Sequence, residues 1–196
     1  MKAAVVILAA GQSRRMGRPK QLLPWGDTTL LGHAIRQARA CPNTDTYVVV
    51  GAEKTQIVQQ LKELDVSWID NPLYTEGLGS SIRAAAVCLT DRTDQIYTHL
   101  LIMLADQPAV DTNYLQELLE HAARTGEIVA TDYGQRAGVP AVFPSSHFAT
   151  LRHLGGDAGA GQLLNAMDVG IQRLTPAFTV FDIDTMEDYH RHEGDS

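Results

Sequence analysis

Apolar and polar positions follow two rhythms along this chain, and the rhythms exchange at regular intervals. Val5-Val6-Ile7-Leu8 is an unbroken apolar run, the mark of a short strand buried on both faces. Leu30, Leu31, Ala34, Ile35 and Ala38 then recur at helical spacing behind Thr28 and Thr29, residues suited to capping that helix. Tyr47-Val48-Val49-Val50-Gly51 predicts a second strand, and Ile57, Val58, Leu61 and Leu64 stripe the helix after it. Val66-Ser67-Trp68-Ile69 predicts a third strand, stopped by Asp70-Asn71-Pro72 because proline cannot continue a ladder. A polar loop leads into a helix starting near Ser80, with Ile82, Ala85, Ala86 and Leu89 on its inner side. His99-Leu100-Leu101-Ile102-Met103-Leu104-Ala105 is the most apolar strand of all and ends at Asp106. Leu115, Leu118, Leu119 and Ala122 mark a further helix. Strands are expected at 128–130, at 139–143 and finally at 178–183, before a terminal helical turn.

Alternation of this kind predicts the α/β class: a mostly parallel central sheet with helices on both faces, a Rossmann-like three-layer αβα sandwich. Ligands bind such sheets beyond the carboxyl ends of the strands. With 196 residues and no internal repeat, low-complexity tract or linker, residues 1–196 read as a single domain.

Charge sharpens the picture. The net charge of −7 leaves no global basic field to draw in nucleic acid, so the cations at Arg14, Arg15, Arg18 and Lys20 form a local island. Cys41 and Cys88 sit in separate apolar helical patterns and read as buried free thiols. The apolar run near the start is short and leads directly into Arg14 and Arg15, unlike a secretory leader. No stretch approaches the roughly 18 apolar residues of a membrane span, so the chain reads as cytoplasmic and free of the membrane. His33, His99, His121, His147, His153, His190 and His192 offer no pair at ligand spacing on one helix face and read as surface or packing residues.

Four segments carry candidate chemistry. Behind the first strand, Ala9, Ala10 and Gly11 have almost no side chain, so a ligand can approach their backbone, and the cation island follows. Bare N–H groups succeeded by cations suit phosphate. The spacing is neither a dinucleotide fingerprint nor a P-loop: Gly11 and Gly17 stand six apart, and Lys20 follows Pro19. Asp106, at the tip of the most apolar strand, is placed either to hold Mg²⁺ with substrate phosphates or to form a turn before Pro108. Asp182 and Asp184 project from one face of extended chain around Ile183. Either can complete a magnesium site opposite Asp106; alternatively Asp184 or Thr185 caps the last helix. In the fourth segment two glycines, Gly77 and Gly79, permit an unusual loop path. Ser80 and Ser81 are expected to cap the helix behind it, whose N–H groups and hydroxyls suit a base edge or a phosphate.

The whole string Leu8-Ala9-Ala10-Gly11-x-Ser13-x-Arg15-Met16-Gly17-x-Pro19-Lys20 resembles the signature of nucleotidyltransferases that consume an NTP and release pyrophosphate. These include the molybdenum cofactor cytidylyl- and guanylyltransferases and the sugar-nucleotide pyrophosphorylases. Further segments are similar to the molybdenum cofactor cytidylyltransferase-like group, in matching order. They are Glu76-Gly77-x-x-Ser80-Ser81-x-Arg83-Ala84, Gly138-x-Pro140-x-x-Phe143, Leu151-x-x-Leu154-Gly155-Gly156-Asp157-Ala158-Gly159-Ala160 and Asp182-Ile183-Asp184-Thr185-x-Glu187-Asp188. Gly161 departs from that pattern, standing where an arginine is usual, and Met186 stands where proline is usual. The first departure removes a cation that would hold the acceptor's phosphate and leaves the exact acceptor open.

The resemblance implies a Mg²⁺-dependent transfer of CMP from CTP to the terminal phosphate of a molybdopterin-type cofactor. Lys20 would serve the α-phosphate and its developing charge, Arg15 the β- and γ-phosphates, and the 10–13 backbone the rest. Nucleotide contacts are expected at Leu8, Ala9, Ala10, Gly11, Ser13, Arg15 and Lys20. The superfamily's base-reading loop adds Gly79, Ser80 and Ser81. Asp106 with Asp182 or Asp184 would hold the metal, while Arg14 and Arg18 also read as solvated surface charge. The Ala9-Ala10-Gly11 opening favours CTP, because the guanylyl enzymes tend to carry a second glycine there. GTP or another NTP as donor, a sugar phosphate or other small acceptor, and a non-catalytic cofactor carrier are the alternatives. A molybdoenzyme or its maturation factor is the partner so implied.

Overall fold

A computed structural model describes residues 2–13, 15–155, 161, 164–165 and 170–193. Arg14 and the Gly156-Asp157-Ala158-Gly159-Ala160 string lie outside them. The sheet strands are β1 (Ala3–Leu8), β4 (Thr44–Val50), β5 (Ser67–Asp70), β6 (His99–Leu104), β7 (Ile128–Asp132), β8 (Ala137–Pro144) and β9 (Ile171–Leu174). Two short strands, β2 (Pro24–Trp25) and β3 (Thr28–Thr29), form a separate antiparallel ribbon. The helices are α1 (Leu30–Arg39), α2 (Lys54–Gln60), α3 (Leu78–Thr90), α4 (Thr112–Thr125), α5 (Phe148–Leu151) and a C-terminal helix, Met186–His192.

Among the described residues the central sheet runs β5-β4-β1-β6-β8-β7-β9. Every pairing is parallel except those of β8, which opposes both β6 and β7. A tight turn at 133–136, with Gly134 at φ +79° and Tyr133 N–H donating to the Arg136 carbonyl, joins β7 to β8. So short a link can only return the chain antiparallel.

Alternation along β1 distributes the core. Ala3, Val5 and Ile7 enter one apolar cluster with residues of α1, α2 and α4; Ala4, Val6 and Leu8 enter the other with residues of α3 and α5. Both faces of the sheet are thereby covered, giving the expected three layers. From β1 the chain steps outward through β4 to β5, then returns along α3 to place β6 on the other side of β1. The direction of winding reverses between β1 and β6, and a crevice opens where the connections diverge. Leu8 and Leu104 pair across that crevice.

Three expectations change. Residues 178–183 form no strand; β9 instead lies earlier. Phe178 and Val180 pack on one cluster while Phe181 and Ile183 pack on another, so alternation arises from a segment wedged between two apolar surfaces. Leu64 lies beyond α2 yet still packs on the core. Thr29 does cap α1, accepting from the Gly32 N–H, but Ser80 and Ser81 do not cap α3. Gly77 takes that position at φ +99° and ψ −177°, a conformation reserved for glycine. Cys41 is buried and Cys88 half-buried, and both are free thiols.

Candidate active site

The crevice is built from strand ends. Ala9 and Ala10 continue β1 out of the sheet, held by Ala9 N–H to the Val49 carbonyl and by Ala52 N–H to the Ala10 carbonyl. A Cβ on Gly11 would meet nothing within 4 Å, so the loop turns there into open space. The loop then folds back on Gln21. The Gln21 side-chain amide donates to the Ala9 carbonyl at 2.8 Å and the Gly11 carbonyl at 2.9 Å. Its oxygen accepts from the Ser13 hydroxyl at 3.3 Å, and that hydroxyl in turn accepts the Lys20 N–H at 3.0 Å. Ser13 sits at φ +50° within this ring of bonds.

These turns enclose a cavity of about 300 Å³ lined by Leu8, Ala9, Ala10, Gly11, Lys20 and Gln21 from the first segment and by Leu104 and Asp106 from β6. Tyr74, Gly77, Leu78 and Ser81 close it from the α3 side. Of the three residues expected to read a base, Ser81 reaches the cavity. Ser80 turns away, donating to the Gly77 carbonyl at 2.7 Å, and Gly79 is buried in the first turn of α3. Asn71, itself buried, donates to the hydroxyls of both Ser80 and Ser81. The serine pair thus fixes the loop more than it faces a ligand.

Charge concentrates at the mouth. The Lys20 ammonium donates to Asp106 Oδ2 and, at 3.0 Å, to Asp184 Oδ1. Arg15 pairs with Asp184 Oδ2 at 3.4 Å. Lys20, Arg15, Asp106 and Asp184, expected from three segments of the sequence, therefore meet. Ile183 N–H donates to the Asp106 carbonyl at 2.9 Å and brings the C-terminal segment to the tip of β6. Thr185 then starts the last helix with a reciprocal capping box to Asp188, which makes Thr185 the cap and leaves Asp184 to the site. Burial pulls the Lys20 ammonium down, but Asp106 and then Asp184 outweigh it and hold it above its ordinary value. Burial pushes the Asp106 carboxyl up; Lys20 pulls against this, and Asp182 and Asp184 add to it, leaving Asp106 raised.

Asp182 faces elsewhere. Its Oδ1 accepts from Gln107 Nε2 at 2.9 Å, and the same nitrogen donates to the Tyr133 hydroxyl at 3.2 Å. Burial pushes the Tyr133 phenol up to about 12, so the O–H persists and donates to the Val139 carbonyl at 2.6 Å. Gln107, Tyr133, Arg136 and Asp182 line a second cavity of about 400 Å³, which shares Leu78 and Leu104 with the first. Gly161 also lines it.

The three aspartates expected around a metal do not form one cluster. Among the described residues no three His, Cys, Asp or Glu side chains are gathered to hold an ion. Lys20 stands between Asp106 and Asp184, and Gln107 draws Asp182 aside. Two features still suit a divalent cation. Asp106 and Asp184 already share one positive charge, and the buried Asp106 Oδ1 has no hydrogen-bond partner among the described residues. Arg18 is exposed and reaches the Met186 sulfur at 3.9 Å, as a surface cation would. His33 lies against the Pro108 carbonyl at 3.2 Å in a packing role.

The site roles of Gln21, Asn71, Tyr74 and Gln107 were not apparent in the sequence, where Asn71 only helps to end a strand. Each is a polar or aromatic residue inside a short connection. Only the setting of Gln21 before Leu22-Leu23 hints that a polar group there is buried.

A bare backbone loop and a lysine held by carboxylates thus meet at the winding reversal of a mostly parallel sheet. The chain belongs to the MobA-like NTP transferase domain family, whose model matches residues 5–171. It is similar over nearly its whole length to the nicotine blue oxidoreductase of Paenarthrobacter nicotinovorans, 28% identical and covering 95% of this chain and 94% of that protein. It is 34% identical over 124 residues to the bifunctional protein GlmU of Pseudomonas syringae pv. tomato, covering 61% of this chain and spanning only 25% of that longer protein. The crystal structure of Rv0371C from Mycobacterium tuberculosis H37Rv in complex with manganese superimposes with a TM-score of 0.80 at 28% identity, each chain fully covered. Among the described residues, no helix is long and apolar enough to cross a membrane.

Proposed function

We propose that the protein transfers CMP from CTP to the terminal phosphate of a molybdopterin-type cofactor and releases pyrophosphate. The observation that carries this reading is the meeting of Lys20, Asp106 and Asp184 beside the Ala9–Gly11 backbone. In-line attack by an acceptor phosphate oxygen on the α-phosphorus forms one P–O bond and breaks the bond to the β-phosphate oxygen. The attacking oxygen is already anionic, so no protein base is required. Negative charge grows on the phosphoryl oxygens and the departing pyrophosphate, and fixed cations there lower the barrier. Lys20, held charged by its neighbours, serves the α-phosphate. Arg15, more exposed and farther out along the same rim, serves the β- and γ-phosphates.

The nucleotide lies along Leu8, Ala9, Ala10, Gly11 and Ser13, with Ser81 on the opposing wall and Gly79 and Ser80 shaping that wall from behind. Asp106 and Asp184 would hold Mg²⁺, or manganese, the ion in the Rv0371C complex, and the ion would neutralise phosphate charge. Asp182, turned to the second cavity, serves the acceptor rather than the metal. A molybdoenzyme or its maturation factor would take the product.

Pyrophosphate release measured across four NTPs and several phosphate-bearing acceptors tests the reading. CTP with a molybdopterin-type acceptor should exceed the other pairs. Preference for GTP or for a sugar phosphate would move the protein within the family, and tight cofactor binding without release from any NTP would make it a carrier. A second reading has one specific support, the similarity over nearly the whole length to a protein named an oxidoreductase. Reduction of an aromatic dye by a hydride donor, with no pyrophosphate release, would favour it.

A further inference from the structure

We infer that Gln21 is a positioning residue that sets the polarity of the 9–13 loop, so that the loop receives an anion. The inference rests on the transferase reading and adds a residue to it. Gln21 is 4% exposed, and both side-chain N–H bonds end on main-chain carbonyls of the loop, those of Ala9 and Gly11. The amide cannot be turned over. Its oxygen would then face the two carbonyl oxygens, with no donor on either side.

A peptide plane points its C=O and N–H in opposite directions. By drawing the Ala9 and Gly11 carbonyls to itself, Gln21 turns the N–H edges of the 9–10 and 11–12 peptides the other way. The Ala10 carbonyl between them is occupied by Ala52 N–H. Three successive carbonyl oxygens, which would repel a phosphate, are thereby tied to protein donors beside a cavity that Ala9, Ala10 and Gly11 line. Gln21 also reaches the lysine that follows this loop. Its oxygen engages the Ser13 hydroxyl, and that oxygen receives Lys20 N–H. One side chain thus orients the loop and the start of the segment bearing the catalytic ammonium. Ser13, at φ +50°, adopts a conformation unfavourable for serine, and this network holds it there.

The test uses Gln21→Met, which keeps the length and removes the hydrogen bonds, and Gln21→Glu, which sets a carboxylate against the two carbonyls. Binding of CTP and of inorganic triphosphate is measured by calorimetry on the folded proteins, with KM for nucleotide and acceptor measured separately. Gln21→Met should weaken both ligands at least tenfold and Gln21→Glu about a hundredfold, with the acceptor KM changing less than threefold. A merely structural role would shift both KM values together. Should Gln21→Met fail to fold, Gln21→His keeps one N–H donor, and an intermediate loss is expected. Wild-type affinity in the folded variants overturns the assignment alone. A wild-type protein that binds neither CTP nor triphosphate overturns the transferase reading and this assignment with it.

Discussion

Replacing Lys20 by methionine should damage stability and catalysis by separate amounts, and pH should distinguish them. The lysine and Asp106 side chains are 18% and 15% exposed, so the substitution strands a buried carboxylate. Removing one partner of such a pair costs about 3–5 kcal/mol. The Asp184 arm adds little, because that carboxylate is 44% exposed and screened by water. Taking the lower end for a rim site, about 3 kcal/mol in a domain of this size corresponds to a fall in Tm of about 6–12 °C. The sign of the pH dependence follows from Asp106. Its folded-state pKa is already above the unfolded value, and losing Lys20 raises it further. The penalty is therefore absent in acid, where the carboxyl is protonated, and grows as pH rises through that raised value. Wild type and variant should therefore differ least in acid, and the gap should widen towards pH 8. In wild type the Lys20 contribution persists below its ordinary value of 10.5 and is lost as pH rises through the higher folded-state value.

The double variant Lys20→Met/Asp106→Asn should recover most of the melting temperature and none of the activity. For the single variant, kcat/KM should fall by about 10²–10³, the loss typical of one charge-stabilising donor. Scanning calorimetry over pH and a continuous pyrophosphate assay read the two effects. A Tm difference that stays constant from pH 4 to 8, or an activity loss under threefold, refutes the reasoning.

Asp106→Ala should abolish metal-stimulated turnover, and an unaltered manganese titration would remove that aspartate from the metal site. Asp184→Asn should weaken activation by metal, whereas Asp182→Asn should raise the acceptor KM; the reverse pattern would exchange their roles. Gly77→Ala forces a side chain into a glycine-only conformation, at about 1–3 kcal/mol, and a urea midpoint equal to wild type would show that the loop relaxes freely. Burial pushes the Cys41 thiol up to about 11, so it should resist iodoacetamide at pH 8 until the protein is unfolded. Rapid labelling of Cys41 in the native state, followed by mass spectrometry, would contradict its placement.

Much of the fold was legible because burial on two faces leaves a strong trace. Continuous apolar runs such as Val5–Leu8 and Leu100–Leu104 have few alternatives to a central strand, and Ala34, Ile35 and Ala38 allow one helical face. The periphery left weaker marks. β9 is a half-exposed edge strand whose Gln172 and Arg173 hide it, while 178–183 alternates without a ladder because it is pressed between two clusters. That Lys20, Arg15 and Asp106 would lie near one another was signalled by charge following two apolar strands, while the choice of Lys20 and Arg15 over Arg14 and Arg18 came from the motif they resemble. The separation of Asp184 from Asp182 was not legible, since extended chain gives both the same face. Gln107 decides between them from another segment. Gln21 and Asn71 stayed hidden for a similar reason: a buried amide is recognised by the carbonyls and hydroxyls it satisfies, and those lie elsewhere in the chain.

Lys20 and Asp184 touch across 164 residues of sequence. Closing so long a span is among the slowest and most entropically opposed events in folding, so their contact should form only after the intervening strands have assembled. Partly folded molecules, even with β1, β4 and β6 already side by side, would hold the loop and the lysine without the second carboxylate. On the proposed reading they would lack a complete rim, so turnover of nucleotide would await the docking of the C-terminal segment.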